Sequence, residues 1–273
     1  MTMFSRLYSL AFATTLLAST APAPAAPIIL TNSQSARVVF AGDSRDDNNG
    51  GADVLVIGIN NQNINNFVIL RFDLSGYSAS DIVGDGTLEL TPGIINQAVK
   101  GSSADTITIY KLFPTNIDWQ EGTGIIGATD NLTNDGSASF LNRVQFNDHP
   151  GPPSGTSLPW YDAAGNPVAN LLGAFDPMPF STIPGWDAEP SNVTITIPHA
   201  ILVDWIENGN AGMVIASLDN GDLRGRFNFD GSSNVSRMPK LYINVVPEPA
   251  SLVLVGIGGL FLSKRRTDKG ACD

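Results

Sequence analysis

Phe67-Val68-Ile69-Leu70-Arg71-Phe72-Asp73 is the stretch that decides the fold. Extended backbone sends alternate side chains to opposite faces. Phe67, Ile69 and Arg71 therefore share one face, and Val68, Leu70 and Phe72 share the other. Working outward, the same period of two returns on both sides. Downstream, Thr87-Leu88-Glu89-Leu90-Thr91 alternates cleanly with Leu88 and Leu90 inward, and Thr106-Ile107-Thr108-Ile109-Tyr110-Lys111-Leu112 follows. Upstream, Ala36-Arg37-Val38-Val39-Phe40 and Val54-Leu55-Val56-Ile57-Gly58 read as strands separated by a polar loop, Asp43 to Gly51. Val193 to Ile197, Gly212 to Ala216 and Lys240 to Val245 complete the set. Asp219-Asn220-Gly221-Asp222 reads as a turn. Only His199 to Asn208 has helical spacing, with Ile201, Leu202, Trp205 and Ile206 on one side. Many short strands with one short helix predict an all-β protein, a β-sandwich.

The strand phrases also carry a resemblance. Phe67 to Ser75 resembles the "LLRFDLS" strand of DNRLRE-type domains, jelly-roll modules akin to carbohydrate-binding modules. Gly86 to Leu90 is similar to their "A-x-L-x-L" strand, and Ile107 to Leu112 to their "V-x-V-Y-x-V" strand. Asp118-Trp119-Gln120-Glu121-Gly122-Thr123 is similar to "D-W-x-E-G-T". Val203 to Gly209 resembles their late helix, and Met238 to Leu241 the "P-x-L" opening of the last strand. The matches run in order from about Ala36 to Val246. They imply a jelly-roll β-sandwich and say little about function. The segment from Phe146 to Pro190, rich in Pro, Gly and small residues, departs from that pattern and reads as a long loop (146–190).

Both ends of the chain read as addresses. Met1 to Tyr8 carries one positive charge, Arg6, and Leu7 to Thr20 is apolar and small. Ala23-Pro24-Ala25 supplies a cleavage pattern, so 1–25 reads as a signal peptide removed by signal peptidase. At the other end Pro247-Glu248-Pro249 precedes the apolar run Ala250 to Leu262 and the basic stop Lys264-Arg265-Arg266. That run falls short of the ~20 residues that span a bilayer comfortably. It suits a temporary anchor, a hydrophobic sorting helix whose positive flank stays cytoplasmic. The order of motif, apolar segment and basic stop closely resembles the PEP-CTERM sorting signal of exopolysaccharide-producing Gram-negative bacteria. The resemblance implies an exosortase as partner, transient inner-membrane anchoring, and delivery to the cell surface or extracellular matrix. The expected organisation is thus 1–25 signal peptide, 26–245 ectodomain and 246–273 sorting signal.

Charge narrows the partners. The chain carries 15 basic and 26 acidic residues. Five basic residues (Arg6, Lys264, Arg265, Arg266, Lys269) and three acidic ones (Glu248, Asp268, Asp273) lie outside the ectodomain. That leaves 10 basic against 23 acidic residues, a net charge of −13. Such a surface repels nucleic acid and anionic lipid and is compatible with calcium or a neutral glycan. The one cysteine, Cys272, lies beyond the basic stop. The ectodomain has no disulfide and must rely on its core or on a metal.

Candidate sites are few. Asp43, Asp46 and Asp47, with Asn48, Asn49 and Asp53, put several oxygens in one loop. That suits either a structural calcium ion or an ordinary solvated turn; the spacing is not that of an EF-hand and no bidentate Glu closes it. Trp160, Tyr161 and Trp186, with Phe175 and Phe180, offer either a stacking platform for sugar rings or anchors that pin the 146–190 loop to the sandwich edge. Asp118 and Glu121 invite an acid/base reading, but both fall in the matched fold motif. The two histidines, His149 and His199, have no Cys, H-E-x-x-H or G-x-S-x-G context. The expectation is a non-catalytic structural or adhesive module in contact with exopolysaccharide. The alternative is a secreted polysaccharide-modifying enzyme, a hydrolase or lyase, with substrate along Phe146 to Pro190.

Overall fold

The computed structural model describes residues 25–40, 54–59, 65–91, 106–121, 138–144, 156–185, 192–217, 226–230 and 238–246. Among them are thirteen strands and one α-helix. The strands are β1 (Ala26–Phe40), β2 (Val54–Ile59), β3 (Asn65–Phe72), β4 (Gly86–Leu90), β5 (Thr106–Lys111), β6 (Asn142–Val144), β7 (Leu158–Tyr161), β8 (Pro167–Val168), β9 (Ser181–Pro184), β10 (Val193–Ile197), β11 (Met213–Ala216), β12 (Arg226–Asp230) and β13 (Lys240–Val245). The helix, α1, is His199–Asn208, the bounds its spacing predicts. The β-rich body spans Pro27–Asn244.

Ten strands form one sheet in the order β10-β4-β13-β1-β3-β11-β5-β9, with β2 pairing β3 and β12. The two ends of that path, β10 and β9, lie against each other, so the sheet is nearly closed. The strand pairs run antiparallel: β1 with β3 (Val38 opposite Phe67), β11 with β3 (Val214 opposite Ile69), β10 with β4 (Ile195 opposite Leu88). β1 is the seam. It lies between β13 and β3, and its pairing with β3 shifts register between Asn32 and Gln34. A bulge of this kind bends and twists a strand, which lets one strand serve two halves of a curving sheet.

The two halves are buried differently. β4 and β10 alternate, with Leu88, Leu90, Ile195 and Ile197 buried and their neighbours turned outward. β3 and β11 are buried on both faces. One of those faces carries Phe67, Ile69 and Val214. They pack in a cluster with Trp119, Phe140, Trp160, Leu171 and Phe175. Burial of each large apolar side chain contributes about 1.5–3 kcal/mol, and half of this cluster comes from connections rather than strands.

That cluster corrects the sequence reading of 146–190. Within its described part lie β7, β8, a short 3-10 turn at Leu171–Gly173 and β9. β9 pairs with β5 at the sheet edge, and β6-β7-β8 form a small sheet of their own. Asn116, wholly buried, holds this layer in place. Its Nδ2 donates to Tyr161 O (2.9 Å) and Ala174 O (3.3 Å), and its Oδ1 accepts from Tyr161 N (2.8 Å). Here one amide side chain supplies the hydrogen bonds that irregular backbone cannot give itself.

The helix is anchored from a distance. Its N-cap is Pro198, which has no side-chain acceptor, so Asp85 Oδ1 accepts from His199 N at 2.8 Å. Leu202 and Trp205 face inward. The chain then leaves through Gly209-Asn210-Ala211-Gly212. At Gly212, φ is +96° and an added Cβ would stand 2.2 Å from Leu70 O, so only glycine lets this loop lie on β3.

Candidate binding groove

The exit loop of α1, the end of β3 and the bulge of β1 enclose an open groove of about 510 Å³. Arg71, the polar residue of the Phe67 to Asp73 stretch, lines it. Arg71 Nη1 donates to Ile117 O, and Nη2 donates to Gln34 Oε1. Its guanidinium stands 5.4 Å from the centre of the Trp119 ring. Burial pushes the Arg71 pKa below its ordinary value, while the charges of Asp118 and Asp73 act in the opposite direction. The group remains a cation, since guanidinium titrates far above neutrality.

Asp73 balances that charge on the rim. The Ser75 hydroxyl, then the Ser75 N–H, hold its carboxyl below the usual carboxylate range; the N–H bond is 2.9 Å. Ser33 Oγ donates to Arg71 O at 3.1 Å and fixes the opposite rim. Tyr77, Ile117 and Ile206 add apolar wall. The lining therefore has one cation, one anion, several neutral polar groups and an apolar stripe.

The exit loop is tied down at three points. Asn210 Nδ2 donates to Phe72 O (2.7 Å), Trp119 Nε1 to Ala211 O (2.7 Å), and Leu112 N to Gly212 O (3.1 Å). Two buried polar atoms of the groove's lining residues are left without a partner: Trp205 Nε1 and Asn210 Oδ1. Both atoms of the Asn32 amide, beside the rim residue Ser33, are also unpaired. Arg143 Nε in β6, away from the groove, is unpaired as well, and all of these atoms are sealed from solvent.

The predicted site residues fare unequally. Trp160 is wholly buried and its Nε1 donates to Ser139 O at 3.0 Å, so it presents no face to a sugar. Phe175 is buried against Tyr110, ring centres 4.8 Å apart. Both are anchors of the covering layer, which corrects the platform reading for these two residues. Tyr161 is half-buried, with the Arg143 guanidinium 4.8 Å from its ring centre. Phe180 meets Trp205 edge-on at 6.1 Å. Asp118 pairs with Arg143, and Glu121 Oε1 accepts from the buried Ser35 hydroxyl at 2.9 Å. Each carboxylate of the acid/base reading thus has a structural partner. Asp43, Asp46, Asp47, Trp186, Pro247, Glu248, Pro249, Lys264, Arg265 and Arg266 lie outside the described residues. Among the described residues no three His, Cys, Asp or Glu side chains are grouped to hold a metal, and no helix is long and apolar enough to cross a membrane.

The groove itself was missed by sequence reading. Its one visible signal was Arg71, a cation on the otherwise apolar face shared with Phe67 and Ile69.

A mostly β body followed by a short apolar tail and a basic stop has the layout of an exported protein that is sorted after export. Residues 245–266 match the family described as the PEP-CTERM protein-sorting motif. The motif implies an exported protein, anchored in the membrane before processing by an exosortase. No curated protein matches the chain.

Proposed function

We propose that this protein is exported, held briefly in the inner membrane by its C-terminal segment, and released by an exosortase to the cell surface or extracellular matrix. There its β body, a jelly-roll sandwich of the DNRLRE type, serves as a non-catalytic structural or adhesive module in contact with exopolysaccharide. The sorting-motif match at residues 245–266 carries the first half of the reading. The second half draws support from the one-faced burial of β4 and β10, and from the engagement of Asp118 and Glu121 in structural contacts. The calcium ion at Asp43, Asp46 and Asp47 belongs to the same proposal as a structural part, not a reactive one.

Sorting is tested by Glu248→Ala in the producing cell. The expected result is uncleaved precursor in the inner-membrane fraction, with the released form lost. Normal release of that variant would overturn the sorting half of the proposal.

A further inference from the structure

We propose that the end of β13 is a latch on sorting: the exosortase takes up its motif only when the last residues of β13 peel away from the β body. The inference rests on the sorting reading above and adds a condition set by the fold.

The fold and the motif share a residue. β13 ends at Val245, and the family match begins at residue 245. Ile243 and Val245 are buried, at 1% and 8% exposed, and Val246 is half-buried. Pro247 follows two residues beyond Val245. Two residues of fully extended chain span at most about 7 Å, less than two strand spacings of about 4.8 Å. An extended segment recognised by another protein gives its backbone bonds and alternate side chains to that partner. Val245 is already committed to the β body, in a strand that lies between β4 and β1. It cannot serve both at once.

The latch is lightly closed. The register of β13 on β4 runs from Lys240 to Tyr242. Past Tyr242 the turn before β4 takes over, and Val83 N donates to Asn244 O at 2.9 Å. The side chains of Val83 and Asn244 are both exposed, so little apolar burial backs that bond. A strand end held in this way opens locally at lower cost than the whole body. When opening is fast relative to cleavage, proteolysis tracks the population of the open form. The rate of release then reads the stability of the β13 end.

The test follows the full chain in the producing cell by pulse-chase, from membrane-held precursor to released form. Val83→Pro deletes the N–H that holds Asn244 O, at an exposed position, and should speed release about fivefold. Asn244→Thr puts a β-branched residue at an exposed strand position and should slow release about threefold. A Gly-Ser-Gly-Ser insert between Val246 and Pro247 separates motif from strand. Release of that chain should be at least as fast as that of Val83→Pro, and adding Asn244→Thr to it should change nothing. Amide hydrogen exchange on the purified full chain in mild detergent should confine the change to the end of β13, which general destabilisation would not do. If Val83→Pro fails to fold, Asn244→Thr, with its opposite sign, still decides. Wild-type release rates in all of the folded variants would overturn the latch. So would a faster insert chain with Val83→Pro and Asn244→Thr unchanged, because the body would then obstruct without opening. Normal release of Glu248→Ala would sink the sorting reading and the latch together, whereas blocked release of Glu248→Ala with strand-insensitive rates would sink the latch alone.

Discussion

Trp119 and Trp160 belong to the covering layer, while Trp205 lines the groove, and the contrast separates architecture from opportunity. All three rings are almost wholly buried. Trp119 Nε1 donates to Ala211 O and Trp160 Nε1 donates to Ser139 O. Trp205 Nε1 donates to nothing. The difference extends to the amides. Asn116 in the covering layer donates to two backbone carbonyls and accepts from a backbone N–H, whereas Asn210 at the groove uses its nitrogen and leaves its oxygen unpaired. Where every polar atom is answered internally, the residues are structural. Where they are not, at Trp205 Nε1 and Asn210 Oδ1 and, in the covering layer, at Arg143 Nε, the fold carries an uncompensated buried polar atom.

The contrast breaks most visibly at Asn116. Asn116→Ala should destabilise the protein by about 3 kcal/mol or more, because it strips Tyr161 N and Tyr161 O of their buried amide partner, while Ala174 O keeps its bond from Phe113 N. Denaturant unfolding measures it. A loss under about 1 kcal/mol would mean that the layer over β3 and β11 is held by apolar contact alone.

A paired substitution sharpens it next. Trp119→Phe and Trp205→Phe remove the same atoms from two buried rings. Trp119→Phe also strands Ala211 O, so it should cost about 1–3 kcal/mol more than Trp205→Phe. Equal losses in thermal melts would show that the two indole N–H groups are equivalent, and the reading of Trp205 Nε1 as an unpaired buried donor would fail.

The smallest effect lies at the β7–β8 turn. The Asn166 N–H and side chain, with further help from Ala164 and Gly165 N–H, hold the Asp162 carboxyl below its usual range. A carboxylate so depressed favours the fold above its unfolded value, and that contribution fades as pH falls through the folded one. The melting-temperature gap between wild type and Asp162→Ala should therefore be steady at neutral pH and shrink below about pH 4. A gap that instead widens on acidification would show the turn to be held by something other than this carboxylate.

Legibility followed burial pattern. β4, β5 and β10 were readable because one face is wet and the other dry, which writes period two into the sequence. α1 was readable to the residue, because Leu202 and Trp205 sit at helical spacing between Pro198 and Gly209. β1 was only half legible. Its polar stretch Thr31 to Ser35 carries no alternation, and pairing with β3, not propensity, makes it extended. β7, β8 and β9 were hidden for a related reason. Their Pro and Gly content signals loop, yet Asn116, Trp160 and the edge of β5 supply the bonds that order them.

By itself, the sequence determined the strand-rich class, the helix, the acidic surface and the sorting motif. Each depends on order along the chain: periodicity, composition, or a contiguous signal read in line. Tertiary structure alone decided which tryptophans are sealed, that β1 serves two halves of the sheet, and that Ser33, Arg71, Tyr77, Trp205 and Asn210 meet in one groove. Those residues come from three separate parts of the chain. Whether a buried N–H finds its acceptor is settled by which distant backbone happens to face it, and no local pattern records that.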